Sequence, residues 1–336
     1  MNILITGGSG FLGARLARTL LATGTLGLAG APPREIASIT LADKAPPPAD
    51  LLNDARVRFA GGDLSEQIAA RQLPPLGTDA VFHLAAAVSG ECEADFDLGM
   101  RSNFDATHAL LQACRALGTR PVFVFASSLA VFGKLPGQPM PALIEDFTLP
   151  TPQSSYGTQK YVGELLVADM TRKGFVRGRS VRLMTVSVRP GRPNGAASSF
   201  LSGMIREPLA GMPAACPVEP ATVVALSSPA RTIAGIIRAA EVTDGQWGPL
   251  TGMNLPALRT TVGDMAAALE RVAGIEATAL LDWTPDPAIR RLVDTWPGNV
   301  AAARARALGL EADADFEAIV REYVRENPQA VKLTVK

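Results

Sequence analysis

Residues 3–13 read Ile-Leu-Ile-Thr-Gly-Gly-Ser-Gly-Phe-Leu-Gly, a short apolar run followed at once by a glycine-rich turn. The apolar run predicts a buried strand, and the apolar spacing after the turn predicts a helix that ends at Gly24. Gly7, Gly10 and Gly13 stand where such a unit needs glycine. They permit a tight turn, close approach of backbone N–H groups to a pyrophosphate, and close packing of helix on strand. The stretch therefore predicts a dinucleotide-binding unit.

Further apolar runs follow along the first half of the chain, each separated by helical or turn-rich sequence. The runs cover residues 37–42, 57–60, 80–84, 122–125 and 180–188. A long helix is predicted over 95–117 and another from Tyr156 onward. Strands that alternate with helices predict an α/β fold with a Rossmann-like, doubly wound parallel sheet.

Beyond residue 187 the pattern changes to short helical and strand-like pieces separated by prolines. Helices are predicted over 199–209, 229–240, 261–272, 300–308 and 316–326, and a strand over 221–226. We therefore predict an NAD-binding domain over 1–186, to which 222–245 return. A smaller mixed α/β substrate-binding domain is predicted over 187–221 and 246–336.

The composition excludes several classes of protein. The chain has 336 residues, 47% of them hydrophobic, with 32 basic and 32 acidic residues, so neither disorder nor nucleic-acid binding is expected. Three cysteines form no disulfide or zinc pattern, which predicts a reducing, cytoplasmic setting and no metal. No leader sequence and no apolar run long enough to span a bilayer are expected.

Polar residues at predicted strand ends indicate how a dinucleotide would be held. Asp43 ends the second long strand, where a carboxylate accepts from both ribose hydroxyls and repels a 2′-phosphate, which favours NAD over NADP. Lys44, next to it, argues mildly against that choice. Asp63 either meets the adenine amino group or caps a helix. His83 lies inside a strand and is predicted to be packed rather than catalytic.

Tyr156 and Lys160 lie four residues apart and would share one face of a helix. An ammonium beside a phenol favours the phenolate, which makes Tyr156 a candidate base at neutral pH. The alternative is a surface pair with no function. Ser127 and Ser128 follow the apolar strand 122–125, so their hydroxyls are predicted to face the ligand cleft of a parallel sheet.

Together these motifs resemble the extended short-chain dehydrogenase/reductases, in the NAD-dependent epimerase/dehydratase family. The matching motifs are Gly7-x-x-Gly10-x-x-Gly13, Gly61-x-Asp63-Leu64, His83-Leu84-Ala85-Ala86, Asn103, Ser127-Ser128 and Tyr156-x-x-x-Lys160. The resemblance implies that Ser128, Tyr156 and Lys160 form the catalytic set. It also implies that Asn103 holds a proton-relay water against the backbone. The implied cofactor-binding residues are Gly7, Gly10, Phe11, Leu12, Gly13, Asp43, Asp63, Leu64, Leu84, Ala85, Ala86, Asn103, Ser127, Tyr156, Lys160 and Pro190.

Departures from the family narrow the substrate. No acidic pair follows Ser128, as it does in the dehydratases, and residues 223–231 lack the aromatic-His-Val-Asp-Asp run of nucleotide-sugar enzymes. Residues 187–200 and 205–211 are similar to a branch that oxidises the C2 hydroxyl of a four-carbon sugar acid. The candidate substrate-binding residues are Ser128, Tyr156, Asn194, Ser198 and Arg231, the arginine for the carboxylate. The alternative for the arginine is a solvated residue at a helix start.

Three functions remain open at this point. The first is NAD-dependent oxidation of the C2 hydroxyl of a small sugar acid. The second is a nucleotide-sugar 4-epimerase with tightly bound NAD, and the third is a non-catalytic NAD(P)-sensing protein. The resemblance also implies a homodimer, in which helices around 95–117 and 156–171 pair across a four-helix interface.

Overall fold

The computed structural model describes residues 1–191 and 196–336. The strands are β1 (Asn2–Thr6), β2 (Thr25–Leu26), β3 (Arg34–Glu35), β4 (Ser38–Asp43), β5 (Val57–Gly61), β6 (Ala80–His83), β7 (Val122–Ser128), β8 (Arg177–Leu183), β9 (Thr185–Val186), β10 (Ala214–Ala215), β11 (Val223–Ser227), β12 (Met253–Asn254), β13 (Leu258–Thr261) and β14 (Leu281–Asp282). The α-helices are α1 (Phe11–Thr23), α2 (Ala49–Leu52), α3 (Leu64–Ala69), α4 (Ser89–Ala94), α5 (Phe96–Gly99), α6 (Ala106–Leu117), α7 (Ser155–Arg172), α8 (Phe200–Leu209), α9 (Pro229–Glu241), α10 (Asp244–Trp247), α11 (Val262–Ala273), α12 (Ile275–Thr278), α13 (Pro287–Val293), α14 (Ala303–Ala307) and α15 (Phe316–Glu326). A π-helix covers Met100–Asp105, and 3₁₀ turns cover Leu129–Val131, Ala197–Ser199 and Pro328–Ala330.

Within the described residues, seven strands form one sheet in the order β12-β8-β7-β6-β1-β4-β5. Strand β1 pairs in parallel with β4 on one side and β6 on the other, so that Thr6 lies opposite both Ala42 and His83. The strand order reverses at β1, which is the point where doubly wound sheets bind ligands beyond the carboxyl ends of their strands. The predicted α/β class and parallel sheet are confirmed.

The central strands are buried on both faces, as a parallel sheet covered by helices requires. Leu4, Ile5, Val81 and Phe123 are all fully buried. Strand β7 is longer than the predicted 122–125 and continues to Ser128. The two serines therefore belong to the end of the strand, rather than to a loop after it.

The helix predicted over 95–117 is present and runs without a break from Phe96 to Leu117, but it is not α-helical throughout. It consists of α5, the π-helix Met100–Asp105 and α6. The π-helix carries Asn103, which is buried and bonded to the backbone of Ala87. Helical periodicity does not report tertiary contacts of this kind, which is why the sequence predicts the long helix but not its π-helical part. Helix α14 likewise covers only Ala303–Ala307 of the predicted 300–308.

The chain forms two compact units. The first comprises Met1–Val131, Ser154–Arg182 and Ile233–Met253, and the second comprises Phe132–Gln153, Leu183–Thr232 and Asn254–Lys336. These limits differ from the predicted domains, since residues 132–153 and 222–232 belong to the second unit. Strand β11 explains part of the difference, because it pairs with β9 and β13 in a separate three-stranded sheet. The assignment of cofactor and substrate to separate domains stays a prediction.

The second unit has its own apolar core, to which α8, α11 and α15 contribute. Leu201, Leu269 and Val320 are fully buried in it. No helix in the described part of the chain is long and apolar enough to cross a membrane.

Candidate active site

The glycine-rich turn after β1 has no room for side chains. Gly7 has a φ of +68°, and a Cβ there would lie 2.8 Å from the backbone nitrogen of Ala85. A Cβ at Gly13 would collide with the carbonyl oxygen of Gly7. Glycine at these positions therefore lets the turn pack against both the start of α1 and the segment after β6, as a pyrophosphate-binding turn does.

The start of α1 has the features of an anion site. Its N-cap is Gly10, so no side chain caps the helix, and the first turn contains no acidic residue. The Ser9 hydroxyl in the same turn is buried without a hydrogen-bond partner. Unpaired N–H groups and the helix dipole favour a bound phosphate. The turn therefore fits the pyrophosphate of a dinucleotide.

Asp43, at the end of β4, is held next to this turn. Its Oδ2 accepts from the backbone nitrogen of Ser9 at 3.0 Å, and its Oδ1 accepts from that of Lys44 at 2.7 Å. The Lys44 ammonium lies 3.1 Å from a carboxylate oxygen of Asp63. The Lys44 ammonium, which would otherwise favour the 2′-phosphate of NADP, is thus paired with the Asp63 carboxylate. This arrangement suits the ribose of NAD, which has free hydroxyls.

Asp63 caps α3, since its Oδ1 accepts from the backbone nitrogen of Ser65 at 2.9 Å. Of the two predicted roles, the helix cap is therefore present in the structure, and the adenine contact stays a prediction. Cofactor contacts also stay predictions for Phe11, Leu12, Leu64, Leu84, Ala86 and Pro190.

Lys160 is buried on α7 with its ammonium turned toward the end of β7. Its Nζ donates to the carbonyl oxygen of Ala126 at 2.9 Å and lies 5.6 Å from the ring centroid of Tyr156. Burial lowers the pKa of this ammonium to about 8. The shared face predicted for Tyr156 and Lys160 is present, and Lys160 is not a surface residue.

Two local features determine where Ser128 and Tyr156 lie in the fold. Ser154 caps α7, its Oγ accepting from the backbone nitrogen of Gly157 at 3.0 Å, so Tyr156 lies in the first turn. Ser128 ends β7, and its Oγ accepts from the backbone nitrogen of Ala130 at 3.1 Å. That bond starts the 3₁₀ turn Leu129–Val131, which packs against α7. The first unit thus brings Ser128, Tyr156 and Lys160 to one strand end.

Asn103 reaches the same helix from the π-helix. Its Oδ1 accepts from the Ala87 nitrogen at 2.8 Å, and its Nδ2 donates to the Ala87 oxygen at 3.1 Å and to Gln159 Oε1 at 2.8 Å. Because both amide hydrogens have protein partners, the side chain fixes the loop after β6 against α7. The predicted role with a relay water stays a prediction.

Ser127 is buried, and its hydroxyl donates to Glu164 rather than projecting beyond the strand end. Glu164 also accepts two bonds from the guanidinium of Arg182, at 2.9 and 2.8 Å. A cofactor contact of Ser127 stays a prediction. The sequence analysis missed Glu164. Its position four residues after Lys160, on the buried face of α7, was the signal.

Of the described candidates for substrate binding, Ser128 and Tyr156 belong to the first unit, and Ser198 and Arg231 belong to the second. Arg231 lies in the first turn of α9 with its side chain 45% exposed, and its guanidinium lies 4.0 Å from a carboxylate oxygen of Glu311. Ser198 Oγ accepts from the Arg189 guanidinium at 3.0 Å. The sequence analysis missed Arg189, which also donates to the Val186 carbonyl oxygen at 3.0 Å. Asn194 lies outside the described residues.

Comparison with known proteins gives the family of the chain. Residues 3–224 match the model of the NAD dependent epimerase/dehydratase family. The chain belongs to this family. NAD is therefore its cofactor, and the resemblance seen in the motifs is confirmed.

A D-erythronate dehydrogenase from Cupriavidus necator is 50% identical over 97% of this chain and 98% of its own length. A D-erythronate dehydrogenase from Haemophilus influenzae is 41% identical over 96% of this chain and 99% of its own length. A crystal structure described as a nucleoside-diphosphate-sugar epimerase from Agrobacterium tumefaciens has a TM-score of 0.87 and is 38% identical over 98% of this chain and 95% of that one.

Proposed function

We propose that this protein is an NAD-dependent dehydrogenase that oxidises the C2 hydroxyl of D-erythronate to 2-oxo-tetronate. The supporting observation is the buried Lys160 ammonium, held between the end of β7 and the Tyr156 ring in the unit that contains the glycine turn. The near-full-length similarity to two D-erythronate dehydrogenases supports the choice of substrate.

Bound NAD supplies the hydride acceptor for this reaction. The C2 carbon loses a hydride while its hydroxyl loses a proton, so that C2 becomes a carbonyl carbon and NADH is formed. Tyr156, as phenolate beside the Lys160 ammonium, takes the hydroxyl proton. Ser128 donates a hydrogen bond to the same oxygen and orients it, and Lys160 stabilises the phenolate by its charge.

The test is NADH formation with purified protein and D-erythronate. We expect NADH release with D-erythronate and a loss of about 10²- to 10⁴-fold in kcat for Tyr156→Phe, because that variant lacks the base. Tyr161→Phe, five residues along the same helix, is the matched control and should retain activity. Full turnover by Tyr156→Phe would contradict the assignment of the base.

A nucleotide-sugar 4-epimerase is the second candidate, because the structure described as a nucleoside-diphosphate-sugar epimerase is 38% identical. An epimerase returns the hydride to its substrate, so it would interconvert UDP-sugars without net NADH release. That result, together with no reaction of D-erythronate, would replace the dehydrogenase proposal. Binding of NAD without turnover of either class of substrate would favour an NAD(P)-sensing protein.

Carboxylate recognition is proposed for an arginine of the second unit, with Ser198 as its polar neighbour. Arg231 is the predicted cation, and Arg189 is the alternative because it already donates to the Ser198 hydroxyl. Substitution of the arginine that binds the substrate carboxylate should raise the KM for D-erythronate and leave the KM for NAD unchanged. Measuring both constants for Arg231→Leu and Arg189→Leu decides between the two arginines.

A homodimer is proposed on the exposed faces of α6 and α7, which pack against each other in the first unit. Leu165 on α7 is 52% exposed and would be covered in such an interface. Sedimentation should give a dimer for the wild type and a monomer for Leu165→Glu. Leu76→Glu, at a 90% exposed leucine outside any helix, should leave the dimer intact. A monomeric wild type would contradict the proposal.

A cytoplasmic location in sugar-acid catabolism is also proposed. Cys92, Cys114 and Cys216 are all free and buried, as expected for a protein from a reducing compartment. Fractionation of cells that express the protein tests the location.

A further inference from the structure

The interior of the first unit contains a polar side chain that the proposed chemistry does not use. His83 lies at the end of β6 and is fully buried, and Thr6 and Thr107 beside it are almost fully buried as well. Thr6 Oγ1 lies 2.7 Å from His83 Nδ1, and Thr107 Oγ1 lies 2.8 Å from His83 Nε2. Polar groups in such a place are costly unless every hydrogen has a partner.

The backbone groups at the two ends of this series of hydrogen bonds determine the direction of each bond. Thr107 has one hydroxyl hydrogen, which it donates to the carbonyl oxygen of Asn103 at 2.6 Å, so it must accept from His83 Nε2–H. The neutral ring then has a bare Nδ1 that accepts from the Thr6 hydroxyl. Thr6 Oγ1 in turn accepts from the backbone nitrogen of Ala85 at 3.3 Å. One tautomer, with hydrogen on Nε2, satisfies all four groups.

This series of hydrogen bonds connects two segments of the backbone. It begins at the nitrogen of Ala85 and ends at the carbonyl oxygen of Asn103. The Asn103 side chain then bonds both backbone groups of Ala87, two residues after Ala85. Asn103 is thereby fixed at its backbone and at its side chain to the same short segment, and that segment packs against Gly7.

We propose that His83 is a positioning residue that holds Asn103 and the segment Ala85–Ala87 in a single geometry. On its Nε2 side it fixes Asn103, which contacts α7 through Gln159 beside Lys160. On its Nδ1 side it fixes Ala85, against which the glycine turn rests. The kinetic part of the inference rests on the proposed dehydrogenase activity, whereas the structural part does not.

Substitutions that remove one side at a time test the inference. Thr107→Val removes the hydroxyl at nearly constant shape, and Thr107→Ser restores it. We expect Thr107→Val to lower kcat by about tenfold to a hundredfold, because small displacements of catalytic groups have effects of this size. NAD affinity, measured by calorimetry, should change little, and Thr107→Ser should recover most of the rate.

The opposite side is tested at Thr6 and at the ring itself. Thr6→Val removes the acceptor of the Ala85 nitrogen, and His83→Gln removes the bond that holds the Thr6 hydroxyl in place, so both should weaken NAD binding more than they lower kcat. His83→Asn retains an acceptor near Nδ1 but no donor toward Thr107, so it should resemble Thr107→Val. Thr23→Val is the control, since its hydroxyl also donates to a carbonyl oxygen one turn back, at 2.9 Å, in an exposed helix end.

Amide hydrogen exchange of residues 84–88 gives a readout independent of turnover. Thr107→Val and the His83 variants should exchange faster there than the wild type, with no change in a distant strand such as β5. Wild-type exchange in all these variants, or wild-type kcat in folded Thr107→Val, would overturn the inference. If the wild type fails to oxidise D-erythronate, the proposed function falls while exchange and NAD affinity still decide the role of His83.

Discussion

Lys160 carries a charge that the protein interior disfavours. Burial lowers its pKa from 10.5 to about 8, so the folded protein binds this proton less tightly than the unfolded chain does. The unfolded chain therefore holds more protons between these two values, and the stability of the fold rises as pH increases through them. A shift of this size corresponds to roughly 3 kcal/mol.

We expect Lys160→Met to be inactive yet to lack this pH dependence. Relative to the variant, the wild type should gain stability as pH rises from about 8 to 10.5, because the wild type alone releases the destabilising proton. Denaturant unfolding across that range, without NAD, measures the difference. Lys173→Met, at an exposed lysine after the same helix, is the control. Parallel stability curves for wild type and Lys160→Met would contradict the expectation.

His83, unlike Lys160, is neutral in the folded protein, and it affects the stability of the fold in a lower pH range. Burial, with a smaller contribution from the Lys160 charge, lowers its pKa from 6.5 to about 3, so it is neutral in the fold. The unfolded chain binds more protons between these values, and wild-type stability should fall as pH drops from 6.5 toward 3. His83→Gln should have a shallower acid limb in denaturant unfolding, whereas His108→Gln, at an exposed histidine, should not. An unchanged limb in His83→Gln would be contrary evidence.

Spacing along the sequence predicted which residues form the site better than it predicted their hydrogen-bond partners. The common face of Tyr156 and Lys160 and the cap formed by Asp63 follow from positions a few residues apart. The bonds from Glu164 to Arg182 and from Asn103 to Ala87 join segments far apart in sequence. Only the folded chain determines such pairs.

Helix α7 is attached to the central sheet by a buried ion pair. Glu164 and Arg182 are each 3% exposed in their side chains, and their two hydrogen bonds join α7 to β8. The Ser127 hydroxyl adds a bond from β7 to the same carboxylate. This cluster fixes the helix with Tyr156 and Lys160 against the strand that ends in Ser128.

Breaking that pair should destabilise the protein strongly. Glu164→Gln leaves the Arg182 charge buried without its carboxylate, a loss of about 3–5 kcal/mol. Asp169→Asn on the same helix breaks an exposed pair with Arg172 and should cost less than about 1 kcal/mol. Chemical unfolding of both variants measures the contrast. Equal and small losses in the free energy of unfolding of the two variants would show that the buried pair adds little to stability.

The strands and helices show what hydrophobic periodicity in the sequence can detect. Strands β1, β4, β6 and β7 were predicted within a few residues, because buried parallel strands are nearly continuous apolar runs. The π-helix Met100–Asp105 was not predicted, because an extra residue per turn changes the periodicity only locally. Its position is determined by the buried bonds of Asn103.

The molecule as a whole has no net charge at neutral pH, with 32 basic and 32 acidic residues and a sequence pI of about 6.8. Proteins near their pI lose the mutual repulsion that keeps copies apart. We expect solubility in low salt to be lowest near pH 7 and to rise on either side. Precipitation titrated against pH measures it, and a minimum displaced by more than about two pH units would contradict the expectation.

The division of the chain into two compact units was the hardest property to predict. Residues 132–153 interrupt the first unit between Ser128 and Tyr156, and their prolines indicate a loop but not which unit that loop joins. Their place in the second unit depends on distant pairing, such as the bridge between Ile144 and Val300. Sequence patterns report what a segment forms and not which segment it joins.

The described chain passes from one unit to the other five times, after Val131, Gln153, Arg182, Thr232 and Met253. No single cut can therefore release either unit as one continuous fragment. Grafting the second unit of a relative onto this protein would require three separate transplanted segments, with every junction in register. Variation in specificity within such an architecture is more readily achieved by point substitutions and short loop exchanges than by the shuffling of whole domains.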